Sequence, residues 1–226
     1  MTAPASSDLP AQYDPAATER ETYQRWLDAG VFTPNPSNTD AMGGGKRSFV
    51  VMMPPPNVTA ILHVGHGLNN TVQDVVTRWR RMSGDETLWL PGTDHAGIAT
   101  QNVVERIVAA EGKTRFDLGR EAFVARTAAF VDDTGGQILK QLEAIGASCD
   151  WSRTAYTLTP ELSAAVREAF VRLFEEGLIY RGHRVIHWCP RCLTSLSDEE
   201  AEHHEVHGKL YHISYELTSM QPGDDR

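Results

Sequence analysis

The sequence predicts an α/β fold built on a Rossmann-like parallel sheet, and three observations support that reading. The first is the order of patterns between residues 48 and 110: strand, loop, helix, strand, loop, helix. Parallel strands joined by a helical crossover have that order. The second is the strand "SFVVMM", apolar on both faces as a strand covered on two sides would be. The third is the gathering of proline, glycine and histidine in the two loops after the strands. Open α/β folds bind ligands at that carboxyl edge.

Residues 1–13 are rich in Ala, Ser and Pro and read as a disordered lead-in. An N-terminal helix and loop are expected over 14–47. In "DPAATERETYQRWLDAG", Asp14 is placed as N-cap, Pro15 in the first turn and Gly30 as the stop. "TPNPSNTDAMGGGK" is a loop by composition. The Rossmann-like domain is expected over 48–182. After its first strand, Val64, Leu68, Val72, Val75, Val76, Trp79 and Met82 recur at helical spacing. Arg78, Arg80 and Arg81 sit where a helix C-terminus favours cations, and Gly84 can close the turn. "TLWLPG" is the second strand, followed by a helix from about Ile98 to Ala110. A helical insert from Gly119 to Gly146 is expected to break at Gly135–Gly136. Another helix starts at Thr159–Pro160, with Leu162, Ala165, Val166, Ala169, Phe170, Leu173 and Phe174 on its apolar face and Gly177 as its stop. From there "LIYRG", "RVIHWCP" and "KLYHISYEL" read as strands, the last of them leading to a polar end, "TSMQPGDDR". Residues 183–226 are expected to be a zinc-ribbon-like segment and the start of a β-rich inserted domain. The sequence looks cut rather than finished.

Composition narrows the function classes. A chain of 226 residues can bury one good core and part of a second domain. No apolar run approaches the roughly 18 residues of a membrane span, and no signal peptide is visible, so no membrane role is expected. Three cysteines fit a reducing cytoplasm better than a disulfide framework. A net charge of −9 argues against broad, non-specific nucleic-acid binding.

Four motifs could hold chemistry. "GGGKRS" superficially suggests a phosphate loop, but its glycines precede the strand and Arg47 separates Lys46 from Ser48, so a flexible loop is favoured. "HVGH" follows a strand and "PPPN" and opens a helix, whose free N–H groups and positive end attract phosphate. His63 and His66 are three apart and share a side, and Gly65 leaves room for a nucleotide. Imidazoles there can donate hydrogen bonds to phosphoryl oxygens. The competing reading is a pair of surface or capping histidines. Asp94, in "PGTDHAG", can pair with an ammonium group, or Thr93 or Asp94 can simply cap the next helix. Cys189 and Cys192 of "WCPRC" are half of a tetrahedral zinc site, with redox and packing roles as rivals. Among Cys149, His183, His187, His203, His204 and His207, none has a spacing that completes it.

Taken together, Pro56 to His66, "LPGTDHAGIATQ", "EGKTRFDLGRE", "GGQILKQLEAIGASCDWSR", "EGLIYRG" and "WCPRCLTSLSDEE" resemble the class I aminoacyl-tRNA synthetases, and among them the valyl enzymes, from about Tyr13 to Leu217. "GTDHAG" disfavours an isoleucyl type. The resemblance implies the first half of the class I catalytic fold, with an inserted editing domain beginning near the end of the chain. It implies ATP-dependent activation of valine, with Mg2+ accompanying ATP, and transfer of the valyl group to tRNA(Val) in the cytoplasm by an enzyme monomeric at full length. His63 and His66 would be catalytic. Pro56, Asn57, His63, Gly65, His66 and Asn69 would meet ATP, and Pro55, Pro56, Asn57 and Asp94 would surround the amino acid. Cys189 and Cys192 would hold half of a Zn2+ site whose other cysteines come later. Two departures stand out: Ala60 replaces a usual Gly, and Asn69 a usual Asp. The family's Lys-Met-Ser-Lys-Ser loop and its anticodon-binding helices, the main contacts to tRNA, are not in this sequence. The expectation is an N-terminal fragment carrying one signature; the alternative is a non-catalytic nucleotide-binding or zinc-containing module.

Overall fold

Strands β1 (Ser48–Met52) and β2 (Glu86–Leu90) lie parallel, with Ser48 opposite Glu86 and Met52 opposite Leu90. The 19-residue helix α2 (Val64–Met82) crosses between them. This is the expected βαβ unit, seen in a computed structural model that describes residues 12–201 and 203–215. A further parallel pair joins β3 (Gly92–Thr93) to β4 (Ala155–Tyr156). Gly92 is required there, because a Cβ would lie 2.9 Å from the Ala155 carbonyl oxygen.

Helix α1 (Pro15–Asp28) starts as its sequence dictates: Asp14 Oδ1 accepts from the N–H groups of Ala16 (3.0 Å) and Ala17 (3.4 Å), and Pro15 occupies the first turn. Its aromatic side chains Tyr23 and Trp26 gather with Phe32. The Tyr23 hydroxyl donates to Ala147 O and accepts from Trp151 Nε1, both at 2.7 Å, and burial pushes its pKa up to about 12. The glycine-rich loop that follows is not a phosphate cradle. Lys46 N donates to Asn38 O at 2.9 Å, and Lys46 Nζ pairs with Glu86 at 3.1 Å. A Cβ on Gly44 would fall 2.2 Å from the Asn38 backbone. The loop expected to be flexible is thus closed on itself.

The main core, formed by Met53, Val58, Trp89, Val131, Ile138, Leu142, Ala147 and Cys149, lies between the β1–β2 pair and helix α5 (Arg120–Ala144). Val104 and Val108 of α3 (Ile98–Ala110) form a second cluster with Phe123 of α5. The bounds of α3 agree with expectation. The break expected at Gly135–Gly136 is absent, and α5 runs unbroken for 25 residues. Packing overrides glycine's weak propensity, because Val131, Thr134, Gly135, Ile138 and Leu142 form one buried stripe. A short α4 (Arg115–Leu118), held by a reciprocal Thr114–Asp117 cap, precedes it and was not foreseen.

One burial expectation is corrected. β1 is not covered on both faces: Val50 is 59% and Met52 75% exposed, while Phe49 and Val51, on the opposite face, are partly buried. The apolar stripe of α2 is exposed as well, Leu68 at 70%. Its inward side is polar instead. Asp74 Oδ1 accepts from Ser148 N (3.1 Å) and pairs through Oδ2 with Arg78 (2.7 Å). Arg78 donates to Gly146 O (2.7 Å), and Arg81 to Ser148 Oγ (2.6 Å) and Ser148 O (2.7 Å). Helix α6 (Pro160–Glu175), capped by Thr159, likewise leaves Phe170 57% exposed.

By its internal contacts the chain divides into residues 1–180 and 181–226. In the second unit β5 (Trp188–Cys189) and β6 (Thr194–Ser195) form an antiparallel hairpin. "LIYRG" and residues 209–215 were expected as strands but carry no regular structure, because no neighbouring strand pairs with them among the described residues. The expectations for residues 1–11 and 216–226 lie outside the described residues.

Candidate functional site

Past the ends of β1 and β2 the two chains remain side by side. Met53 N donates to Leu90 O (3.0 Å), Asp94 N to Pro56 O (2.8 Å), and Val58 N to Asp94 O (2.9 Å). The last two bonds form a parallel bridge that sets Asn57 against Asp94. Proline has no N–H, so Pro54, Pro55 and Pro56 cannot extend a full ladder, and the strand ends as an open loop. Pro56 is buried, and Pro55 and Asn57 are exposed. Leu62 N donates to Gln141 Oε1 (2.9 Å), tying the far side of the loop to α5. Ala60 is exposed and is not among the positive-φ residues, so its methyl group causes no backbone strain.

The loop delivers the chain to His63, the N-cap of α2. Gly65 N–H donates to His63 Nδ1 (3.1 Å), and His63 N–H donates to His66 Nδ1 (3.3 Å). The rings are 4.1 Å apart between centroids. Capping and ligand binding are therefore compatible here. Each Nδ1 accepts, so each neutral ring carries its proton on Nε2, which remains a donor. Gly65 permits this arrangement: a Cβ would lie 2.9 Å from His63 Cε1. Partial burial, and then the neighbouring His63, hold the His66 pKa below the usual histidine value. Asn69 is exposed, its Oδ1 accepting from Gln73. The next residue, Asn70, is buried, with Nδ2 donating to His66 O (2.8 Å).

Asp94 does not cap α3; that position belongs to Gly97, whose φ is 45°. Oδ1 of Asp94 instead receives Ala96 N–H (3.2 Å) and the Thr157 hydroxyl (3.0 Å), with His95 Nδ1 3.3 Å away. Ala96 takes a left-handed φ of 52°, unusual for a residue with a Cβ, so the turn that presents Asp94 is strained. Sequence reasoning missed Thr157 and Gln141. Thr157 lies in no quoted segment and Gln141 in one, "GGQILKQLEAIGASCDWSR", to which no site role was given; only the β3–β4 pairing and the packing of α5 bring them here.

Cys189 and Cys192 occupy the turn of the β5–β6 hairpin. Cys192 N–H donates to Cys189 Sγ (3.4 Å), and Leu193 takes a left-handed φ of 58°. Hydrogen bonds from the Cys192 backbone and side chain lower the Cys189 pKa. None of the three cysteines is in a disulfide. Among the described residues no group of three or more His, Cys, Asp or Glu side chains could hold a metal ion. No helix among them is long and apolar enough to cross a membrane.

The family model of the tRNA synthetases class I (I, L, M and V) matches residues 21–219. The chain is 54% identical over 219 residues to a valine–tRNA ligase of Geobacter sulfurreducens, covering 97% of this chain and 24% of the relative. It is 52% identical over 210 residues to a valine–tRNA ligase of Thermus thermophilus, covering 93% and 24%. It spans about a quarter of the length of these curated relatives. In fold it is similar to the LeuRS of Agrobacterium radiobacter K84 solved in a ternary complex with tRNA and LeuAMS, with a TM-score of 0.66, 24% identity, and coverage of 84% of this chain and 22% of that one.

Proposed function

The chain belongs to the class I tRNA synthetases of the isoleucine, leucine, methionine and valine group, and from that premise we propose that it is the nucleotide-facing part of a valine–tRNA ligase. The valine carboxylate attacks the α-phosphate of ATP, giving valyl-adenylate and pyrophosphate. The valyl group then passes to the 3′ end of tRNA(Val). The observation that carries this reading is the reciprocal histidine cap at the carboxyl edge of the parallel strands. It leaves two Nε2–H donors at a helix N-terminus, where negative charge is favoured.

His63 and His66 would bind the ATP phosphates and stabilise the charge that grows on them during transfer. Gly65 would admit the nucleotide, and Asn69 would line its site. Pro55, Pro56 and Asn57 would shape the amino-acid pocket, and Asp94 beside Asn57 would take the ammonium group. Rate would come from positioning and electrostatics rather than from a covalent enzyme intermediate. Valine is favoured over isoleucine and leucine by "GTDHAG" and by the identity to valine–tRNA ligases. Mg2+ would accompany ATP as part of the substrate. Two thiols on a tight turn fit half of a structural Zn2+ site, with Cys189 and Cys192 as ligands and the rest supplied from outside the described residues. Cysteines without disulfides suit the cytoplasm, and tRNA(Val) would be gripped mainly by parts of the enzyme beyond this quarter length.

The test is valine-dependent exchange of pyrophosphate into ATP, measured on the chain alone and fused to the remaining length of the Geobacter relative. The fusion is expected to exchange with valine and not isoleucine, and His63→Ala combined with His66→Ala is expected to abolish it. A folded fusion that neither binds ATP nor exchanges would leave only the non-catalytic module.

A further inference from the structure

One hydroxyl, that of Thr157, meets three groups at once. It accepts the His95 backbone N–H at 2.9 Å, donates to Asp94 Oδ1 at 3.0 Å and lies against His95 Nδ1. Thr157 stands one residue past β4, and its own N–H donates to Thr93 O (3.3 Å), so the short parallel pair fixes its position. A hydroxyl has one hydrogen and two lone pairs. The ionised carboxylate of Asp94 only accepts, so that hydrogen goes to Oδ1. Nδ1 of His95 must then donate, which also suits its 3.3 Å approach to Asp94 Oδ1. Every site on the hydroxyl is then filled. Oδ1 receives two donors, the Ala96 N–H and the Thr157 hydroxyl, with His95 Nδ1 3.3 Å away, whereas no described residue pairs with Oδ2.

We infer that Thr157 is a positioning residue of the amino-acid site: its hydroxyl anchors Asp94 by one oxygen and His95 by Nδ1, so that Oδ2 is left for the substrate's ammonium group. The inference rests on the reading of Asp94 as the ammonium partner. The turn it braces needs bracing. Ala96 and Gly97 follow at φ 52° and 45°, and the Asp94 side chain is one-third exposed at 34%. A carboxylate free to rotate there would present either oxygen to water.

The experiment compares two non-hydrolysable probes by titration calorimetry with the full chain: a valyl sulfamoyl-adenosine and its isovaleryl counterpart, which lacks only the ammonium group. The wild type is expected to prefer the first. Thr157→Val, of equal size, is expected to weaken the valyl probe about tenfold, the loss of a charge-assisted hydrogen-bonded arrangement. It should leave the isovaleryl probe unchanged, and Thr157→Ser should restore the preference. A general structural defect would weaken both probes alike and would overturn the proposal. A wild type that prefers the valyl probe, with a Thr157→Val variant that prefers it equally, would overturn the role of Thr157 and leave that of Asp94 standing. A wild type with no preference would overturn the Asp94 reading and this inference with it. Independently of any ligand, the nitrogen NMR of His95 should show a proton on Nδ1; a ring protonated at Nε2 alone would overturn the hydroxyl assignment.

Discussion

The two histidines cap their helix only while both Nδ1 atoms are unprotonated. His66 binds a proton less readily in the folded chain than an ordinary histidine, whose pKa is 6.5, because it is partly desolvated and beside His63. The unfolded chain therefore takes up the proton first as pH falls. The cap's contribution to stability is complete above pH 6.5 and declines as pH drops through 6.5 and then through the lower folded value. A proton NMR titration should place the His66 midpoint below 6.5 and show it rising in His63→Ala; a midpoint above 6.5 would contradict the geometry. Two glycines differ in a way the sequence does not display. An alanine at Gly65 meets the end of a ring that can swing aside, whereas one at Gly44 meets the fixed Asn38 backbone. Gly44→Ala is expected to cost about 1–3 kcal/mol in urea unfolding, as overpacking does, and Gly65→Ala about 1 kcal/mol or less, the cost of a cap. At this scale the sequence revealed the motif residues, because two histidines with a glycine between them, after a strand and a proline run, are uncommon in loops that only connect. It could not reveal Thr157, whose role exists only through a strand pair of two residues.

Helix limits were largely legible, because caps and stops are local chemistry: Asp14 and Thr159 with their following prolines, and Gly30 and Gly177 at positive φ. The continuity of α5 was not, because glycine's propensity is local and the buried stripe that overrides it is not. The same reasoning gives a prediction. An alanine Cβ at Gly136 would meet nothing within 4 Å. Gly136→Ala should therefore stabilise the chain by about 0.4–1 kcal/mol through a less disordered unfolded state, seen as a higher urea midpoint at an unchanged slope. The direction in which α2 faces was also hidden. Periodicity identified its apolar stripe, but Asp74, Arg78 and Arg81 turn the polar side inward onto Gly146 and Ser148.

Across the whole molecule, the outer residues of β1 and the stripes of α2 and α6 leave Met52, Leu68, Val72, Phe170 and Phe174 exposed. Contiguous apolar surface in water favours association. The chain alone is expected to bind a hydrophobic dye and to self-associate with concentration in sedimentation runs. Leu68→Glu combined with Phe170→Glu should reduce both without loss of helical signal. A monomer with a cooperative thermal transition well above about 50 °C, within the usual range of about 45–65 °C for such domains, would contradict this. The parallel pairing of the strands was legible in the order of patterns. What covers their faces was not, since a sequence shows which residues avoid water and not what they meet.

The polar inner side of α2 also makes the helix a lever. Its fulcrum is the Arg78–Arg81 region, clasped to Gly146 and Ser148, and its far end carries the N-cap His63. The arm from Arg78 to His63 is about 22 Å at 1.5 Å per residue. A tilt of about 3° at the clasp would swing the histidines by about 1 Å, enough to cost on the order of a hundredfold in a reaction that depends on placement. In the proposed function, the aim of the histidines would thus be set at the butt of the helix, at its opposite end from them.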